Sequence, residues 1–398
     1  MKVSKIILNL LLTCIIFMNF TFINLNDFKI GIPHILLLLV LTITLLSIER
    51  FNKKTILILI LILFFPCLKL FTVFNQIEFF KTYFFFILGL LSYVYVTKYL
   101  KLKTIDNIQI FNSRLIVFIF ITSIFGVIQF IFANYFDSMV LYNFLLDYQF
   151  HGPQLIGTYK EYVRANSIYS EPSIFGIMCN FSTALILASE QKIKNGYLYL
   201  VFNFIGLIIS FSSSALFFFF IIVGIYLLKF KRRTFILTAL GILIICISFT
   251  DILSIFRFSE FSSVGTSGYY RVIAPFLLLK QVLLTSPFLG IGLGQVDIYV
   301  PQFDFMQNGT STGKTLDNNF TLLFVVFGLP AIGIFIYFIK KYFYFILSNK
   351  KNIIIVVFII SFFISTGLFF SPEFVIIIIW CEWFMNYNSK KSDGDYFD

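Results

Sequence analysis

The sequence predicts an all-α polytopic membrane protein with about twelve transmembrane helices and two long external loops. Three observations carry that expectation. The 398 residues are 59% hydrophobic and only 12% charged, too few polar residues to cover a soluble protein of this size. Apolar runs long enough to cross ~30 Å of hydrocarbon recur from end to end. Lysine and arginine gather in alternate connections, as in a chain threading a bilayer.

The candidate spans are 6–26, 31–48, 55–74, 79–97, 115–134, 172–189, 197–210, 213–228, 234–250, 319–339, 352–370 and 374–387. The first lacks a small-residue cleavage site and more spans follow, so it reads as a retained helix and not a signal peptide. Only SFSSS separates the seventh from the eighth. The regions are then a five-helix N-terminal part (1–134), a first long external loop (135–171) and central helices (172–250). A second long external loop with an interfacial helix (251–318) and C-terminal helices with a short cytoplasmic tail (319–398) complete the chain.

Basic residues cluster at Lys2 and Lys5, Arg50 to Lys54, Lys98 to Arg114, Lys192 and Lys194, Lys229 to Arg233, Lys340 to Lys351, and Lys390 and Lys391. The positive-inside rule places these connections and both termini in the cytoplasm. The same clustering accounts for the net charge of +11, so nucleic-acid binding is not needed to explain it. The 5 cysteines lie in or beside apolar runs with no CxxC pair, which reads as packing. With only 2 histidines, His34 and His151, a multi-histidine metal site is excluded.

Chemistry then belongs to the external loops. The stretch YVRANSIYSEPSIFG (162–176) ends the first of them and opens the sixth span. Pro172 suits a first helical turn, with Ser170 or Glu171 as cap. The positive end of this helix dipole and Arg164 together form a seat for a phosphate-bearing headgroup, and Glu171 suits a base. An ordinary cap with Arg164 snorkelling to lipid phosphates is the plainer alternative. The second loop carries Arg257, Glu260 and Arg271, then a semi-apolar helical run over 272–284. GIGLG (290–294) lacks a βαβ setting and reads as a tight turn where backbone approaches closely. Asp317, Asn318 and Asn319 open the tenth span with cap-type residues.

RANSIYSEPSIFG (164–176), YRVIAPFLLLKQVLLTSPFLGIGLG (270–294) and DNNFTLLFVVFGLPAIG (317–333) together resemble the O-antigen polymerase and ligase group of integral membrane glycosyltransferases. The likeness covers roughly 164–333; the first five spans match only in being helices. It implies transfer of an undecaprenyl-pyrophosphate-linked glycan at the outer face of the bacterial cytoplasmic membrane, for O-antigen, capsule or exopolysaccharide. Ligases of the group usually carry a histidine near the end of the second external loop. None occurs in 251–318, which favours a Wzy-type repeat-unit polymerase. Many relatives have an arginine after the serine of the motif at 210–217, where this chain has Ser213 or Ser214.

On that resemblance, Arg164, Arg271 and Arg257 bind the pyrophosphate, with Asn318 and Asn319 in the substrate-binding set. Glu171, then Asp317, is the candidate catalytic base. No metal, nucleotide sugar or other cofactor is implied. The partners implied are lipid-linked glycans, membrane lipid, a flippase and a chain-length regulator. The rivals are a lipid-linked oligosaccharide flippase or other transporter, and the ligase. Transporters place ionisable residues at the midplane and show internal repeats. Here the span centres hold almost no charge, Glu382 being the nearest exception.

Overall fold

The computed structural model describes residues 2–392 apart from 19, 26–27, 48–52, 71, 104–107, 147–157, 160–161, 190–192, 231–263, 265–266, 304–306, 309–310, 313–317 and 368–370. Its architecture is helical. The N-terminal part holds α1 (Lys2–Ile16), α2 (Ile32–Ser47), α3 (Lys53–Phe64) with a 3-10 extension Phe65–Lys69, α4 (Gln76–Lys103) and α5 (Ile108–Tyr135). A short α6 (Val140–Leu146) precedes α7 (Pro172–Ala188), α8 (Gly196–Ser210) and α9 (Ser213–Phe230). Then come α10 (Ser267–Val272), α11 (Ala274–Thr285), α12 (Val296–Tyr299), α13 (Asn319–Phe327), α14 (Ala331–Ser348), α15 (Asn352–Ser365) and α16 (Pro372–Ser392).

Gln76–Lys101, Ile108–Tyr135, Ser213–Phe230 and Ala331–Ser348 are long and apolar enough to cross a membrane, and several shorter apolar helices accompany them. The protein is an integral membrane protein. The expected ninth span, 234–250, lies outside the described residues.

Two expected spans are built differently. The first stops at Ile16, and Thr21–Leu25 (β1) pairs antiparallel with Phe28–Gly31 (β2), Leu25 opposite Phe28. The β-favouring run Thr21, Phe22 and Ile23, with Phe28 and Ile30 in the second strand, favours an extended ribbon over a helix end. The tenth span breaks at Gly328–Pro330, leaving α13 and α14 as separate helices. Pro330 has no N–H to offer the carbonyl of Val326. That carbonyl accepts instead from Gly292 N–H at 3.2 Å, and the carbonyl of Val325 accepts from Ile291 N–H at 2.9 Å. Leu329 N–H in turn donates to Pro287 O at 2.7 Å. The GIGLG run is thus a close backbone approach, with Gly290, Gly292 and Gly294 at φ +60, +91 and +69.

Packing centres on α7, which is buried along nearly its whole length among α5, α8, α9 and α15. Such a helix is largely apolar all round, and its buried polar groups find partners, Asn180 Nδ2 donating to Ala215 O at 2.8 Å and Ser182 Oγ accepting from Asn203 Nδ2 at 3.0 Å. An ideal Cβ on Gly176 would stand 2.6 Å from Ala215 Cβ, so the first turns of α7 and α9 touch. Residues Thr122, Gly126, Gln129 and Ala133 share one buried face of α5, a small and polar stripe. A second apolar cluster joins Phe79 and Phe86 of α4 to Leu278 and Val282 of α11, Leu293, and Val325 and Phe327 of α13. The interior charge Glu382 is matched: Lys341 Nζ lies 2.6 Å from its Oε2 and the Tyr93 hydroxyl donates to its Oε1 at 2.7 Å.

Candidate functional site

The stretch before α7 is a loop without the usual exposure. Ala165, Ser167, Tyr169 and Ser170 are all buried. Buried backbone must find partners, and α5 supplies them. Gln129 Oε1 accepts from the N–H groups of Asn166 at 3.2 Å and Ser167 at 2.8 Å, and Ser167 Oγ donates to Thr122 O at 2.6 Å. Asn134 grips Val163 on both sides, accepting from its N–H at 2.7 Å and donating to its carbonyl at 2.9 Å. The Tyr142 hydroxyl donates to Arg164 O at 2.9 Å, and burial pushes the pKa of this phenol up, so the donor keeps its proton.

The turn between α8 and α9 is where the site assembles. Arg164 Nε donates to Ser210 O at 2.9 Å, while Ala165 N–H donates to Ile209 O at 3.0 Å. From the other long loop, Arg271 Nη1 donates to Ser214 Oγ at 3.0 Å. The two guanidinium groups therefore hold opposite ends of one five-residue turn, Ser210 to Ser214. Asn318 extends the chain of contacts: its Nδ2 donates to Arg271 O at 2.9 Å and its Oδ1 caps α13 through Thr321 N–H at 3.1 Å.

Glu171 occupies the N-cap position of α7 in extended backbone, with Pro172 following. Its side chain makes no capping hydrogen bond; Oε2 accepts from Ser173 Oγ at 2.9 Å. Asn319 points elsewhere, donating to Thr366 Oγ1 at 2.8 Å, which ties α13 to the end of α15. Arg257 and Asp317 lie outside the described residues. Among the described residues no three His, Cys, Asp or Glu side chains gather as a metal site.

Electrostatically the arrangement suits an anion. The N-terminal turns of α7 and α9 are in contact, and the start of α13 is bonded to Arg271. Helix N-termini present free N–H groups and a partial positive charge, to which the guanidiniums add. Sequence reasoning placed the turn but missed Gln129, Asn134 and Tyr142, and did not foresee that both arginines meet on it. The signal for one of them was available: Thr122 and Gln129 stand seven residues apart in an apolar span, one above the other on a helix face.

A sequence model of the "WcaD colanic acid polymerase" family matches residues 6–387, nearly the full chain. A protein of Escherichia coli (strain K12) named "Putative colanic acid polymerase" is 27% identical over 128 residues, a match covering 31% of this chain and 31% of that relative's length. The family's description is that of a polymerase, the reading the sequence favours over the flippase and the ligase. On a match that runs through the first five spans and the site alike, the chain belongs to the WcaD colanic acid polymerase family.

Proposed function

We propose that the protein polymerises lipid-linked oligosaccharide repeat units into an exopolysaccharide at the outer face of a bacterial cytoplasmic membrane. The observation that carries this reading is the convergence of Arg164 and Arg271 on one turn, beside the helix that Glu171 opens. Both termini lie in the cytoplasm, from the distribution of basic residues. A growing glycan and a single repeat unit, each on undecaprenyl pyrophosphate, are the two substrates. A flippase supplies them and a chain-length regulator limits the product.

In the reaction a hydroxyl oxygen of the acceptor sugar bonds to the anomeric carbon of the donor. The anomeric C–O bond to pyrophosphate breaks, and undecaprenyl pyrophosphate leaves with the electron pair. Negative charge therefore grows on the pyrophosphate, where Arg164 and Arg271 are preorganised to meet it. The acceptor proton passes to Glu171, held at the helix mouth by Pro172 and Ser173. The sugar-phosphate bond itself supplies the driving force.

Deleting the gene tests the reading. Single repeat units on lipid are expected to accumulate outside the membrane barrier, and unchanged polymer would overturn it. In purified full-length protein, Glu171→Gln is expected to lower the rate of chain extension ~10²–10⁴-fold at normal protein abundance. Ladders of ordinary length from that variant would remove the base role and leave Asp317 as the candidate.

A further inference from the structure

The Ser210–Ser214 turn holds more than charge. Arg164 bonds to Ser210, and the very next residue, Phe211, receives Tyr162. The Tyr162 and Phe211 rings are nearly parallel, 13° apart with centroids at 6.3 Å. Phe130 of α5 completes a triangle, 6.3 Å from Tyr162 and 6.2 Å from Phe211. Tyr162 is 46% exposed, so the group presents aromatic surface outward.

Two features show that this surface is built and not incidental. Asn134 clamps the backbone of Val163, the neighbour of Tyr162, from both sides. Phe211 sits in left-handed backbone, φ 45 and ψ 37, at the C-cap of α8. That position usually takes glycine, and a bulky residue there carries a conformational penalty. The chain keeps an aromatic ring against that penalty, one residue from the contact that fixes Arg164.

We propose that Tyr162, Phe211 and Phe130 form a sugar platform, on which the apolar C–H face of the pyranose attached directly to the pyrophosphate stacks. The electron-rich face of an aromatic ring attracts polarised C–H groups as it does other positive edges. This rests on the reading of Arg164 as a pyrophosphate contact. The sugar in question is covalently joined to that phosphate, and consecutive Cα atoms are only ~3.8 Å apart, which brings the Phe211 ring within reach of a sugar on a phosphate held by Arg164. The platform thus gives the enzyme a way to distinguish glycosylated lipid from spent carrier, since both carry pyrophosphate.

The test uses full-length protein in nanodiscs and two probes, undecaprenyl pyrophosphate and the same lipid bearing a single glucose. Wild type is expected to bind the glucosylated probe about tenfold more tightly, and Tyr162→Leu to abolish that preference while binding the bare lipid normally. Tyr162→Trp should keep the preference, and Phe130→Leu should reduce it, each variant eluting as wild type on size exclusion. Equal binding of the probes by wild type, or a Tyr162→Leu variant with the preference intact, would overturn the platform. So would loss of both probes alike, the signature of a membrane-interface anchor. Arg164→Ala separates the two ideas: it should weaken both probes, and if it weakens neither while Tyr162→Leu still erases the preference, the pyrophosphate reading fails and the platform stands.

Discussion

Two of the turns that run through left-handed backbone do so with opposite residues. The clamp against the broken helix uses Gly290, Gly292 and Gly328, all at positive φ. The turn between α8 and α9 uses Phe211 at φ 45. In the clamp, glycine is demanded twice over at Gly290 and Gly328, by conformation and by space: a Cβ on Gly328 would stand 2.3 Å from Pro287 O, and one on Gly290 2.4 Å from Val325 O. At Phe211 the local conformation favours glycine equally, yet a phenylalanine is present. The contrast separates a joint, where a side chain is excluded, from a working surface, where one is kept at a cost of about 1–2 kcal/mol.

Substitutions can break or sharpen this contrast. The largest effect is expected from Gly290→Ala, which adds a clash with the carbonyls of Val325 and Val326 to a left-handed φ. A loss on the order of 4 kcal/mol should appear as little folded protein in detergent extracts. Normal yield and an unchanged Tm would show that the clamp is not the joint described. Arg271→Ala comes next, with polymer formation down ~10²–10³-fold at normal abundance and poor rescue by lysine. Ser214→Ala, which loosens Arg271 without removing it, should fall between that variant and wild type, about tenfold down. A Ser214→Ala variant as damaged as Arg271→Ala would mean the hydroxyl itself meets the substrate.

Phe211→Gly is expected to have the smallest effect on stability. Replacing a well-packed phenylalanine by a much smaller residue ordinarily costs ~3–5 kcal/mol. Phe211 is half-buried, so its truncation falls at the low end of that range, and relief of about 1–2 kcal/mol of left-handed strain brings the expected net loss to the order of 1 kcal/mol. Polymer yield should nevertheless drop. A loss of stability in the full packing range would turn Phe211 into an ordinary core residue and erase the contrast.

Much of the frame around these turns was legible beforehand, and the reasons are physical. Pro172 fixes a helix start, and SFSSS between two apolar runs marks a turn, so α7, α8 and α9 fall close to their expected limits. The resemblance singled out Arg164, Arg271 and Asn318, and the structure ties them to one another through that turn. What sequence could not supply was the partner of each arginine. A bond from Arg164 to the carbonyl of Ser210 spans 46 positions and uses an atom every residue possesses. Asn319 was grouped with Asn318 by adjacency, yet successive residues on a helix face different ways, and it bonds to Thr366. The break at Gly328–Pro330 was written in the sequence, but nearly continuous hydropathy across 319–339 concealed it.

The joint between the GIGLG run and α13 has a consequence for how this chain can change. Its bonds join main-chain atoms: Ile291 and Gly292 donate, Val325 and Val326 accept. Swapping one aliphatic side chain for another of similar volume at 291, 325 or 326 leaves every one of those bonds in place. Inheritance of the joint therefore depends on a few glycines and one proline, while the surfaces it supports are free to diversify. A lineage could exchange the residues that read one glycan for those that read another, piecemeal, with the bend in the tenth span undisturbed throughout.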